Sequence, residues 1–404
     1  MFKLNEVYVR IAELAQQQLA EQADRASRRE HTLAAYADHA RAYSWWAERC
    51  ATAKTKLHLA ALTPEVGRHF AAPAAPTAYT VLASDGSQIY PDRHGAAIWF
   101  VVNLGRVRLS YGETSTAYLD SQPQLYSDER DVFRGVLGQR QTVTAEDVEV
   151  VRTVEELRAL LTLAEETAER PAVALMDGKL IPWSWAQADD GFKLGHLEEY
   201  GRLLARFREL GVPVASYVSR SGANEVTNLV RLGDCDQRVV NCELCPHLAQ
   251  VKASTGSDTM TVAEAQALPC GKPAGLVDSD LFGRLLPAGS RSPLFVERNS
   301  SYERIKQRAA FFYTHAAGQE IGRVELPEWA ADDESVVSLV HAVVVDQIAK
   351  GQGYPVALRE AHEQAIVRGP DRAAFLQLLE RELVRGGMPV RHSLKSRSKQ
   401  VPGV

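Results

Sequence analysis

The chain has 404 residues, 45% of them hydrophobic and 24% charged, values ordinary for a globular protein and unlike those of a disordered or fibrous one. A formal net charge of −5 argues against coating nucleic acid through bulk electrostatics, while leaving room for a local basic groove. Five cysteines, an odd number at this length, do not resemble the framework of a secreted disulfide protein and point to a reducing compartment.

Residues 2 to about 60 carry Leu4, Val7, Ile11 and Leu14 at helical spacing and predict one or two long helices. This amphipathic start lacks the unbroken apolar core of a signal peptide. The longest apolar run, Val336 to Ile348, is interrupted by His341 and Asp346 and falls short of the roughly 20 residues a membrane span needs, so a cytoplasmic protein without membrane attachment is expected. The stretch AAPAAPTA at 71–78 reads as a linker. The expected organisation is therefore a helical extension over 1–70, a catalytic domain over 79–390 with a cysteine-containing loop inserted near 233–275, and a basic tail at 391–404.

From Tyr79 the pattern changes to short runs of strand-forming residues. YTVLAS, AIWFVVNL and GRVRLSY predict three consecutive strands, the last two joined by a tight turn near Asn103, Leu104 and Gly105. Thr153 to Glu169 reads as an amphipathic helix capped by its threonine. The apolar run AVALMDG ends at Asp177, a helix follows over Leu194 to Leu210, and VPVASYV from Val212 is another strand. That β-α-β-α-β order implies parallel strands. Further on, helices are expected at Ser301 to Ala317 and Ser335 to Ala349 with a strand, IGRVELP, between them. Two last helices cover Pro355 to Val367 and Arg372 to Arg385. No internal repeat is visible.

Asp85 and Asp177 each follow an apolar strand and each precede a glycine. Turn chemistry alone accounts for one such pair, because Asp caps a turn and Gly accepts positive φ. Two of them, separated by two strands and a crossover helix, suit a pair of converging carboxylates, the ligands that Mg2+ or Mn2+ accepts. The order strand-Asp, strand, strand, helix, strand-Asp is that of an α/β, RNase H-like mixed sheet flanked by helices. In that architecture the helix supplies a glutamate. Glu155, Glu156, Glu165, Glu166 and Glu169 are candidates; Glu156 is favoured because it shares a face with Leu160 and Leu163, with Glu155 and Glu165 as alternatives.

The segments SDGSQIYPDRH, ALMDGKLIPW, GRVELPEWA and GYPVALREAH resemble the NurA nucleases. In that family the two aspartates and a helical glutamate bind metal, and a tyrosine and a histidine eight residues apart complete the site. Tyr354 and His362 have that spacing. Pro355 suits a first helical turn, and a histidine two turns after the tyrosine can share its face. The resemblance implies a homodimer, Mn2+ as cofactor, 5'-3' exonuclease and single-strand endonuclease activity on DNA, and partnership with the hexameric HerA translocase in DNA end processing and repair. His362 would hold a water, donate a proton or contact the scissile phosphate. Lys179 stands where the family commonly has serine.

Cys235, Cys242, Cys245 and Cys270, with His247 nearby, are either ligands of a structural zinc or iron-sulfur cluster or reduced cysteines in an inserted loop. Lys395 and Arg397, with Arg391 and Lys399, form a basic tail suited to phosphate contacts or simply to solvent. Arg220 and Arg231 are further candidates for a DNA groove. The N-terminal helices either dock a partner or cover the sheet or a dimer interface. Two other functions share this framework: a catalytically inactive adaptor docking a motor ATPase, and an RNase H-like enzyme acting on RNA or DNA junctions.

Overall fold

The computed structural model describes residues 3–90, 97–135, 140–187, 190–257, 260–298, 307–315 and 320–388. In chain order its main elements are α1 (Leu4–Arg41), α2 (Tyr43–Thr52), β1 (Leu59–Ala61), β2 (Tyr79–Ile89), β3 (Phe100–Tyr111) and β4 (Thr116–Tyr126). They continue with α3 (Ala145–Glu166), β5 (Ala172–Asp177), α4 (Gly191–Leu210), β6 (Val214–Val218), α5 (Glu225–Gly233), α6 (Asp278–Leu285) and β7 (Phe295–Arg298). The last are β8 (Ala309–His315), β9 (Ile321–Pro327), α7 (Glu334–Lys350), α8 (Val356–Ala365) and α9 (Gly369–Arg385). No helix among the described residues is long and apolar enough to cross a membrane.

The chain divides into two compact units. Residues 1–72, 218–300 and 308–328 form the first, and 73–217, 301–307 and 329–404 the second. The stretch near 233–275 falls in the first unit, where it carries helical segments at Pro246–Thr255 and Val262–Gln266 rather than a bare loop.

The core of the first unit gathers Tyr36, Trp46, Leu229, Phe282, Phe295, Phe311 and Tyr313. Trp46 is fully buried, and its indole nitrogen donates to the Leu229 carbonyl at 2.9 Å, which satisfies the one polar atom it brings inside. Strands β1, β7, β8 and β9 lie side by side and antiparallel. The helix expected over Ser301 to Ala317 is corrected here: its described part, Ala309–His315, is strand β8. A continuous apolar run buried on both faces has no period to distinguish strand from helix, and the aromatic triplet Phe311, Phe312, Tyr313 suits a pleated sheet. Strand β9 buries Arg323 completely. Glu225 at 3.2 Å, Glu297 at 2.5 Å and Glu325 at 2.7 Å surround its guanidinium, which lies over the Phe311 ring.

In the second unit the strands run in the order β6-β5-β2-β3-β4. β2, β3 and β4 form an antiparallel meander, β5 is parallel to β2, and β6 is parallel to β5. With α3 crossing from β4 to β5 and α4 from β5 to β6, this is the mixed α/β order expected from the sequence.

Two local expectations are corrected. No turn occurs at Asn103–Gly105; β3 runs unbroken through them, and the third strand is β4, over Thr116–Tyr126. Gly105 is required because α8 packs against it. A Cβ at this position would stand 2.1 Å from the Ala361 carbonyl oxygen and 2.6 Å from the Ala365 nitrogen. Helix α3 begins at Ala145, capped by Thr144 in a reciprocal box with Asp147. Thr153 lies inside that helix, its hydroxyl donating to the Glu149 carbonyl.

Candidate metal centre

Asp85 lies within β2, which continues to Ile89, so Asp85-Gly86 is not a turn and Asp85 does not close its strand as expected. Asp177 does close β5, and Gly178 follows with φ +82°, so turn chemistry and the carboxylate coexist there. In the parallel pair of β2 and β5, Ala83 stands opposite Leu175. The pairing ends there; Asp85 and Asp177 each lie two residues further along, near enough that the Asp85 charge acts on Asp177.

Glu156 approaches from α3. The Ser84 hydroxyl donates to the Glu156 carbonyl at 2.7 Å and pins the helix to β2. Gly86 leaves the space the carboxylate enters, since a Cβ there would be 2.6 Å from Glu156 Oε1 and 2.8 Å from Arg152 Cγ. The alternatives on this helix turn elsewhere: Glu155 pairs with Arg158, and Glu165 with Arg206.

Burial pushes the Glu156 carboxyl up to about 8; the Arg152 charge opposes this, and the charges of Asp85 and Asp177 reinforce it. Asp177 is also raised, first by desolvation and then by Asp85, against the Tyr354 hydroxyl, the Gly178 amide and His362. Like charges crowded in a desolvated place are the condition a hard cation relieves.

His362 and Tyr354 flank these acids. Helix α8 carries His362, whose Nδ1 lies 2.7 Å from Asp85 Oδ2 on a ring that is largely exposed. Tyr354 precedes that helix, has its hydroxyl near Asp177, and meets the Tyr217 ring edge-on at 5.6 Å. Burial, then the Asp177 charge, raises its hydroxyl above the ordinary tyrosine value, which keeps it a donor. Helix α8 is tied at both ends. Ala357 N donates to Gln347 Oε1 at 3.2 Å, Asn103 Nδ2 donates to the Gln364 and Ala365 carbonyls at 3.2 and 2.8 Å, and the Ser87 hydroxyl donates to Ala365 as well.

Sequence reasoning singled out Asp85, Glu156, Asp177, Tyr354 and His362, and the second unit brings them together. It missed Arg152, the anchors Ser84, Ser87, Asn103 and Gln347, and the clearance supplied by Gly86 and Gly105. Only the two serines flanking Asp85-Gly86 carried a local signal.

Among the described residues, no three His, Cys, Asp or Glu side chains close on one point. In the acidic group, His362 engages Asp85 and the Arg152 guanidinium faces Glu156. The donors nonetheless fit Mn2+ or Mg2+: they are carboxylate oxygens, and Glu156 Oε1 is buried without a directed hydrogen bond.

The cysteines present a different picture. Cys235, Cys242, Cys245 and Cys270 form no disulfide, and burial holds the Cys235 and Cys270 thiols above their ordinary value. His247 is bonded to Asp236. The expected structural zinc or iron-sulfur cluster thus gains no support. Arg220 belongs to the first unit, highly exposed and paired with Glu320 at 3.0 Å. Arg231 also belongs to the first unit and is half-buried, its Nε buried near Cys270. Arg391, Lys395, Arg397 and Lys399 lie outside the described residues.

A family model described as the NurA domain matches residues 79–367. Three crystal structures of NurA are similar to this chain. The one with manganese is 12% identical, with 77% of this chain and 90% of that one covered and a TM-score of 0.32. A second is 12% identical over 76% and 90%, TM-score 0.33. The third, bound to dAMP and manganese, is 11% identical over 90% and 94%, TM-score 0.32. No curated protein matches the chain.

Proposed function

This chain belongs to the NurA family, and on that premise we propose that it is a divalent-metal-dependent deoxyribonuclease. The observation that supports the reading is that Asp85 and Asp177 follow the last residue pair of neighbouring parallel strands by two residues each, with Glu156 entering beside Gly86. Asp85, Glu156 and Asp177 would hold Mn2+ or Mg2+, which supplies neutralisation of the charge that develops on a phosphodiester under attack.

The remaining work falls to the side chains. Asp85 Oδ2 accepts the His362 Nδ1 proton, fixes the tautomer and leaves Nε2 of an exposed ring as the atom that takes a proton from water or gives one to the leaving oxygen. The Tyr354 hydroxyl orients Asp177. Glu156, its carboxyl pushed up to about 8 by burial, would hold the cation as a carboxylate and so give up its proton on binding it.

We extend the proposal to what the family resemblance implies: 5'-3' exonuclease and single-strand endonuclease action, a homodimer, and DNA end processing in the cytoplasm with a HerA-type hexameric translocase. The test is cleavage of single-stranded DNA by the full chain. Mn2+ should support it, EDTA should stop it, and Asp85→Asn or Asp177→Asn should abolish it in a protein that still folds. Cleavage confined to RNA or four-way junctions, or co-purification with a motor ATPase without cleavage of any substrate, would overturn the reading.

A further inference from the structure

Two rows of side chains meet beside the acidic group. Gly86, Gln88 and Tyr90 alternate along one side of β2 and its end, and Glu149, Arg152 and Glu156 recur at helical spacing along α3. The Tyr90 hydroxyl donates to Glu149 at 2.8 Å, and Arg152 Nη1 donates to Gln88 Oε1 at 3.0 Å and to the Gly86 carbonyl at 3.4 Å. Arg152 Nε lies 3.2 Å from Glu156 Oε1. The arginine thus joins the acidic group to a strip of surface that ends at Tyr90, a residue 38% exposed.

The contact between Arg152 and Glu156 is an incomplete one. Both Nε and Oε1 are buried, yet neither makes a directed hydrogen bond, although they lie 3.2 Å apart. A buried ion pair is held firmly only when its remaining donors and acceptors are satisfied. The other edge of the guanidinium is bonded to Gln88, and 30% of the Arg152 side chain reaches solvent. A guanidinium also presents a planar fork of donors that matches a phosphate better than an ammonium does.

We propose that Arg152 is a partner-exchanging residue: its guanidinium covers the Glu156 carboxyl before a divalent cation binds and, once a cation is held there, turns to a backbone phosphate of the DNA strand. This rests on the nuclease reading and adds to it a residue that couples metal loading to substrate grip. It predicts two effects of opposite sign from one substitution. Arg152→Gln removes a cation that competes with the metal ion, and it also removes a contact to phosphate.

The experiment uses the full chain, with folding monitored by thermal melting. Mn2+ affinity is measured without DNA by electron paramagnetic resonance, and single-stranded oligonucleotide affinity is measured in Ca2+ at several salt concentrations. Arg152→Gln should bind Mn2+ about three- to tenfold more tightly, as expected from removing one partly screened charge near the ion. It should bind the oligonucleotide more weakly, with the salt slope reduced by about one. Arg152→Lys, which keeps the charge, should restore most of the salt slope. A folded Arg152→Gln protein with unchanged Mn2+ affinity and salt slope, or with both affinities falling together as from local damage, would overturn the proposal while leaving the nuclease reading intact. A wild-type chain that binds no Mn2+ would overturn both.

Discussion

Replacing Gly105 with alanine probes the claim that His362 is positioned by the packing of α8 on β3. The new Cβ would stand 2.1 Å from the Ala361 oxygen, 2.6 Å from the Ala365 nitrogen and 3.0 Å from the Gln364 carbonyl carbon, all backbone atoms that no rotamer change can move. Carbon and carbonyl oxygen rest no closer than about 3.3 Å in favourable contacts, so the helix must retreat by about 1 Å. Overpacking of this kind costs about 1–3 kcal/mol, a modest loss for a folded protein. The chemical consequence is larger. A retreat of that size stretches the 2.7 Å contact between His362 and Asp85 beyond hydrogen-bond range. Misplacement by about 1 Å can lower a rate by roughly a hundredfold. Gly105→Ala should therefore melt a few degrees lower and cleave DNA about a hundredfold more slowly, read by thermal denaturation and by release of labelled nucleotide. Gly195→Ala, where nothing lies within 4 Å, is the matched control and should be neutral or stabilising. Wild-type melting and cleavage in Gly105→Ala would refute the reasoning.

The Glu156 carboxyl, raised to about 8, gives a pH dependence of definite sign. The metal-free fold holds this proton where the unfolded chain has lost it, so its stability should be greatest below the ordinary carboxylate range and decline as pH rises towards about 8. Mn2+ affinity should climb over the same window, by up to about tenfold per pH unit. Glu156→Gln should remove both trends, with melting curves reading the first and calorimetric Mn2+ titration the second; wild-type profiles flat in pH would contradict the assignment. In the first unit, Arg323→Ala leaves Glu225, Glu297 and Glu325 buried without their shared cation. The loss should be about 3–5 kcal/mol in urea denaturation, and an unchanged midpoint would show that the network is not what holds these strands.

The alternation of strands and helices from β2 to β6 was legible, apart from β4, because apolar runs and helical spacing mark those elements, and because Asp177 sits where an apolar run stops. What escaped depends on contacts distant in sequence. Gly105 looks like a turn residue until α8, some 250 residues later, is seen to pack against it. Strand β4 is the outer strand of its meander, solvent-exposed along much of its length, so its residues show no clear apolar alternation, and Pro123 within it suggests a break where an edge strand tolerates one. Thr153 looks like a helix cap, yet in mid-helix it satisfies its hydroxyl on the preceding turn. Glu156 could be preferred over its neighbours from its face on the helix alone. Arg152, one turn earlier, could not be singled out, because an arginine four residues before a glutamate also describes an ordinary exposed helix pair.

The central claim is that Asp85, Glu156 and Asp177 share a divalent cation beside His362. Anomalous difference density from a Mn2+-soaked crystal tests it most directly. The account predicts a peak enclosed by those three carboxylates, with the Arg152 guanidinium drawn away from Glu156. Manganese bound by only one of the aspartates while the other points away, or found only at the cysteines of the first unit, would contradict it.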